Sequence, residues 1–151
     1  MELRELLKRY EAGEREFTNV EDLFNCCLDG MNLKNISLIG ADLTDAYLSG
    51  ANLNYINLRG ANLDNANLNG ANLIKADMMD SYLGGAKLEN AILTGANLSC
   101  ACMYGANLIN SDLSYADLTF TILHNATINN ANLIGADIRG AAMSQTRFYE
   151  A

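Results

Sequence analysis

Residues 60–73 read GANLDNANLNGANL, and a leucine returns at every fifth position, Leu63, Leu68 and Leu73. Followed outward in both directions, the period runs from Leu23 to Phe148 without an insertion. Of these 26 positions 20 are Leu, and Met78, Met103, Met143, Ile128, Ile138 and Phe148 fill the rest. Taking this residue as i, the residue at i−2 is small: 17 of 26 are Ala, with Ser81, Ser111, Thr121, Thr146 and Cys26 as near substitutes. Position i−1 is Asn or Asp in 15 cases, and i+2 is Gly in 10 and Asn in 7, so only i and i−2 suit burial.

A period of five matches neither the 3.6 of a helix nor the 2 of a strand, so neither element persists. The chain must turn every five residues. Gly or Asn at i+2 supplies the positive φ that the third residue of a type II turn requires. Tyr55, Lys75, Cys100, Tyr115 and Phe120 hold that position without such freedom, and corners of type I or irregular geometry are expected there. Each repeat is then a short extended side and a corner, with i and i−2 inward and i−1, i+1 and i+2 outward. Turns of one hand wind the chain into a solenoid in which Leu stacks on Leu and Ala on Ala. A buried Leu contributes about 1.5 to 3 kcal/mol, while each ordered residue costs about 1 to 2 kcal/mol of backbone entropy. One repeat cannot stand alone; stacked neighbours hold it.

ADLTD (41–45), ANLNY (51–55), ANLDN (61–65) and ANLIK (71–75) resemble the pentapeptide-repeat family over about residues 21 to 150. The resemblance implies an all-β solenoid, a right-handed quadrilateral β-helix with four repeats, or 20 residues, per coil. Four sides would stack Asn32, Asn52 and Asn72 into an outward amide ladder, and would set Asp22 beside Asp42 and Asp117 beside Asp137, like-charge contacts that cost a little. The number of sides therefore comes from the resemblance. About 26 repeats make about 6.5 coils, a rod roughly 30 Å long at the ~4.8 Å strand spacing.

Residues 1–20 lie outside the register and are expected to form a helical cap, with residues 21–151 as the β-helix. Leu3, Leu6, Leu7 and Tyr10 recur at helical spacing and Gly13 is placed to end the helix. A lid over the first coil is the reading that solenoid edges favour; an amphipathic partner helix is the other. Phe17 and Val20 are expected to join the same plug. ELLKRYEAGEREF resembles the leader of many cyanobacterial pentapeptide proteins, which supports the lid. The other end, RFYEA, shows no capping helix. An open coil edge invites pairing, and the family resemblance suggests a homodimer through the C-terminal coil.

The net charge of −8 and pI near 4.4 argue against direct nucleic-acid binding and against an anionic membrane surface. The charged N-terminus lacks a secretory apolar core and no apolar run reaches about 18 residues, so a cytoplasmic location is expected. Cys26, Cys27, Cys100 and Cys102 are then read as reduced thiols.

Chemistry is sparse. His124, Cys102 and Cys100 form the one conceivable zinc trio, but three ligands in a stiff scaffold with no supporting shell do not make a site. His124 has no evident Ser or Cys partner with an orienting acid. Asp77, Asp117 and Asp137, with Asn97 among them, make the densest acid row, but paired carboxylates need a concave, dry site and a solenoid wall is flat. No phosphate loop occurs. The sequence thus assigns no catalytic, cofactor-binding or metal-ligating residue and implies no enzyme and no cofactor.

Between Ile74 and Gly85 the surface changes, with Met79, Asp80 and Tyr82 outward and Gly84 and Gly85 adjacent, which reads as repeat drift or as a docking patch. The walls carry Ile39, Ile74, Ile109, Ile134, Tyr104 and Tyr149 among Asn, Asp, Ser and Thr, as suits a rigid module that binds another protein. The resemblance also admits a DNA mimic that binds a type II topoisomerase such as gyrase. Residues 21–151 carry 13 acids and 6 bases, a thin charge for a DNA decoy. Leu63→Asp should break the core, and Asp64→Lys, outward, should be nearly silent.

Overall fold

The computed structural model describes residues 1–17, 20 and 23–148; the expected Asp22–Asp42 contact and the outward Tyr149 lie outside them. The backbone returns to the same place every 20 residues. Parallel bridges join Cys27 to Tyr47, Asn62 to Tyr82 and so on to Thr127 with Arg147. Four five-residue sides close each coil, and the chain is a right-handed quadrilateral β-helix with a short N-terminal helix. The first wall carries inward Leu23, Leu43, Leu63, Leu83, Met103, Leu123 and Met143. The second runs from Leu28 to Phe148, the third from Leu33 to Leu133 and the fourth from Leu38 to Ile138.

The repeat Ala61–Asn65 shows where five backbone N–H groups go. Ala61 closes the corner onto Leu58 O at 3.0 Å, and Asn62 donates to Ala41 O of the preceding coil at 2.9 Å. Leu63 and Asn65 donate to Tyr82 O and Gly84 O of the next coil at 2.7 and 2.8 Å. The fifth, Asp64 at i+1, has no backbone acceptor, and the Asn62 side-chain oxygen takes it at 3.0 Å. All 14 described Asn and Asp residues at i−1 accept the i+1 N–H in this way. This is why a short carbonyl-bearing side chain recurs there: it completes the backbone's hydrogen bonding. Asn32, Asn52 and Asn72 do stack, but their oxygens serve Lys34, Asn54 and Ile74 rather than one another.

The inward columns form one continuous core, with Ala61 and Leu63 fully buried. Hydroxyls at i−2 are kept inside by their own corner: Ser81, Ser111 and Thr121 donate to Met78 O, Leu108 O and Leu118 O at 2.7 to 2.8 Å. The core opens at the last coil, where the inward Ile138 and Phe148 are 47% and 55% exposed.

The corners depart from expectation at five places. Tyr55, Lys75, Cys100, Tyr115 and Phe120 all take positive φ, from 53° to 59°, like the Gly and Asn corners. Each closes with the same i to i+3 hydrogen bond, as in Ala116 N to Leu113 O at 3.1 Å, so the type I or irregular corners do not occur. The stack overrides local preference: Tyr115 N and Phe120 N are held by Ile134 O and Arg139 O of the next coil, against a left-handed strain of order 1 kcal/mol. Three of these side chains also lean along the axis over a glycine. A Cβ added at Gly135 or Gly140 would lie 2.6 Å from the ring of Tyr115 or Phe120, and one at Gly95 would lie 3.5 Å from Lys75 Cγ.

Helix α1, Leu3–Glu11, has Glu5 in its first turn and Lys8 and Arg9 in its last, matching the helix dipole. Gly13, at φ 99°, ends it as the sequence predicts, with Gly13 N bonded to Tyr10 O and Glu14 N to Arg9 O in a Schellman arrangement. Leu6 is buried against the first coil, with Leu3, Leu7 and Tyr10 packed beside it. Tyr10 Oη donates to Lys34 O at 3.0 Å, and the Arg15 guanidinium stacks on the Tyr10 ring at 4.0 Å. Phe17 and Val20 are buried, as expected of the plug. Strand pairing begins with Glu16 on Ser37, 21 residues apart where all later bridges are 20, and Asp42 N bonds Val20 O at an offset of 22 where the later coils use 21, as in Asn62 N to Ala41 O. Asn25 N, bonded to Thr44 O, is in the regular register, so the chain carries one extra residue between Val20 and Asn25. Among the described residues no helix is long and apolar enough to cross a membrane.

Candidate functional site

The acid row stands where the period places it: Asp77, Asn97, Asp117 and Asp137 follow one another up the fourth wall. Their oxygens are turned to local duties. Asp77 Oδ1 accepts Met79 N at 3.3 Å and Asn97 Nδ2 at 3.1 Å, and Asp117 Oδ1 accepts Thr119 N at 2.9 Å. Asp137 takes Arg139 Nε at 2.9 Å, and this hydrogen bond holds its carboxyl below the ordinary range. On the third wall Asp112 is lowered too, first by Ser114, then by Thr94 and Asn132. Such carboxylates stay ionised, the opposite of what a general acid needs.

His124 has a partner that the sequence reading misses. Ser144, one coil up, places its backbone N 3.1 Å and its Oγ 2.9 Å from His124 Nδ1. Because a backbone N–H donates to Nδ1, the ring proton sits on Nε2. The nitrogen facing Ser144 Oγ is thus already an acceptor for the backbone, and no carboxylate orients the ring among the described residues. Spacing of 20 is the signal that finds Ser144, but it acquires meaning only once the number of sides is known.

Cys100, Cys102, Cys26 and Cys27 are free thiols. Burial pushes Cys26 up to about 11. Among the described residues no three His, Cys, Asp or Glu side chains gather as a metal site would require. Concave surface among the described residues includes open grooves on the lid along Leu3, Arg4, Leu7 and Lys8, between the lid and the third wall beside Tyr10, Met31 and Leu33, and at the corner between the first two walls beside Phe24, Tyr47 and Lys87.

Met79, Asp80 and Tyr82 lie where the sequence reading sets them, with Tyr82 53% exposed. Gly84 N donates to Asp64 Oδ1 of the preceding coil at 2.7 Å, so Asp64 is not the idle surface acid the sequence suggests. The bridges add neighbours to Tyr82, because Cys102 and then Ile122 stand directly above it.

The family model for pentapeptide repeats matches in 8 copies, over residues 22–54, 41–80, 76–114 and 111–148. Among solved structures, the chain is 25% identical to HetL, a pentapeptide repeat protein involved in heterocyst differentiation regulation from the cyanobacterium Nostoc sp. strain PCC 7120. The match covers 97% of this chain and 94% of that one at a TM-score of 0.50. A pentapeptide repeat protein of the Arabidopsis thaliana thylakoid lumen is 25% identical over 79% of this chain and 66% of its own, at a TM-score of 0.47. Rfr23 from the cyanobacterium Cyanothece 51142 is 27% identical over 95% and 97%, at 0.36. No curated protein matches the chain.

Proposed function

Because the chain belongs to the pentapeptide-repeat family, we propose that it is a non-catalytic, rigid module that binds another protein on one of its walls. The observation that carries this reading is the Asn and Asp bonding described above. Polar side chains that could converge on a substrate are instead turned to the backbone beside them, which leaves flat, stiff walls that lose little entropy on docking. The likeness to HetL, a protein of regulation, supports the same reading. Its setting would be the cytoplasm.

Affinity capture with the folded protein, set against a core-disrupted Leu63→Asp bait, tests it. A protein retained by the folded bait alone, and confirmed by calorimetry with the purified partner, is the expected result. Equal retention by both baits would overturn the reading. Inhibition of gyrase supercoiling by the purified chain would transfer the assignment to a DNA mimic.

A second contact is favoured by the open last coil. Ile138 and Phe148 are exposed in columns buried elsewhere, and the N–H groups of Leu133, Ile138 and Met143 have no acceptor among the described residues. Arg139 stands beside Asp137 on the fourth wall and Arg147 lies on the second wall at this end, so two copies can offset each other's charge. A homodimer through this coil should weigh twice the monomer by light scattering at high micromolar concentration, and Ile138→Lys should return it to the monomer mass.

A further inference from the structure

We propose that the C-terminal half of the first wall is the docking face, and that it takes an apolar segment of another protein flanked by lysine or arginine; this rests on the binding-module reading. On the first wall the series of Asn and Asp at i−1 stops after Asn62. Tyr82, Cys102, Ile122 and Ala142 follow in one column, each bridged to the next. Tyr104 stands two residues beyond Cys102, and the corner residue Phe120 two before Ile122. Tyr82, Tyr104, Ile122 and Phe120 are 53%, 55%, 40% and 67% exposed. Gly84 lies beside Tyr82 and one coil below Tyr104, and Gly85 and Gly105 follow at the adjoining corner, so that side of the patch carries no side chain.

These residues hold their places against the local rule of the fold. Without Asn or Asp at i−1, the i+1 N–H loses its acceptor. Gly84 and Ser144 borrow one from the coil below, Asp64 and His124 respectively, while Tyr104 N and His124 N have none among the described residues. Apolar side chains facing solvent, at the loss of backbone hydrogen bonds, are a departure that stability does not explain.

Four such side chains expose roughly 400 Å², the size of the largest apolar patch on a typical monomer, which is often a functional one. That is about half of what one partner contributes to a stable interface. Charge selects the occupant. Among the described residues the first wall and its two flanking corner columns hold Asp80 beside Tyr82, hold Asp42, Asp45 and Asp64 in the coils below the patch, and hold no lysine or arginine, whereas each of the other walls holds both signs. A second copy would bring acid to acid, and a basic partner would be drawn in.

The test is selection of a random peptide library on the immobilised wild-type protein, followed by binding measurements on the Tyr82→Asn/Ile122→Asn double variant. Both substitutions restore the residue type that i−1 carries elsewhere, so the fold is kept, and an unchanged circular dichroism melt verifies this. Enriched peptides should pair an aromatic or aliphatic residue with Lys or Arg, bind the variant at least tenfold more weakly, and weaken as salt rises. Peptides that bind both proteins equally, or that are acidic, would overturn the proposal and leave the binding-module reading standing. Failure to enrich any peptide would overturn both. A wild-type dimer in sedimentation that the double variant dissolves would reassign the face to a second copy.

Discussion

Asn62 Oδ1 accepts the backbone N–H of Asp64 at 3.0 Å, a bond that closes the hydrogen bonding of its repeat. Its removal should be felt although Asn62 is an outward residue. Asn62→Ala should lower stability by about 1 kcal/mol, the usual loss when a side-chain cap is deleted. Asn62→Asp, which keeps the oxygen, should stay close to wild type in a urea melt.

Leu63→Asp places an unpaired carboxylate in the stack and should cost at least about 3 kcal/mol or prevent folding. The sequence alone makes Asp64→Lys a silent control. With Asp64 Oδ1 on Gly84 N at 2.7 Å, the variant should instead lose about 1 kcal/mol. Denaturation of the two variants side by side measures both; equal losses would contradict the inward and outward assignment.

Gly105 and Gly135 share a left-handed φ, 66° and 70°, so alanine at either meets the same strain of about 1 kcal/mol. They differ in what lies near: nothing within 4 Å of a Cβ at Gly105, the Tyr115 ring at 2.6 Å from one at Gly135. Gly135→Ala should therefore melt lower than Gly105→Ala. Adding Tyr115→Ala should bring the two together, which a thermal double-mutant comparison would show.

Asp112 is held below its ordinary range by hydrogen bonds from Ser114, Thr94 and Asn132. A depressed carboxylate contributes stability that is present above its unfolded value, about 4, and is lost as pH falls through the lower folded value. Asp112→Asn should thus flatten the acid limb of the stability curve below about pH 4 and leave its neutral plateau lower but level. An acid limb identical to wild type would show that the bonds do not favour the charged form.

What the chain discloses without coordinates follows from the strictness of its period. Leu63 and Ala61 are readable as interior because burial repeats at fixed spacing, and Gly13 as a helix end because its φ has few alternatives. Tyr115 and Phe120 mislead because intrinsic preference is local, whereas the hydrogen bonds that hold them come from residues 19 positions away. The role of Asn62 escapes because composition marks it as a surface amide and only the count of backbone donors shows the need it meets. Of the candidate face, Tyr82 stands out in the sequence. Its column does not, since Cys102 and Ile122 become neighbours only after the coil length is fixed.

The 20-residue coil also makes aim and architecture independent. Deleting or adding one complete pentapeptide would leave every leucine in an equivalent seat while rotating all that follows by a quarter turn about the axis. Tyr82, Cys102 and Ile122 would then point along another compass direction, still aligned with one another. Such a molecule can re-index its surfaces in steps of 90°, like a combination dial, without disturbing its interior.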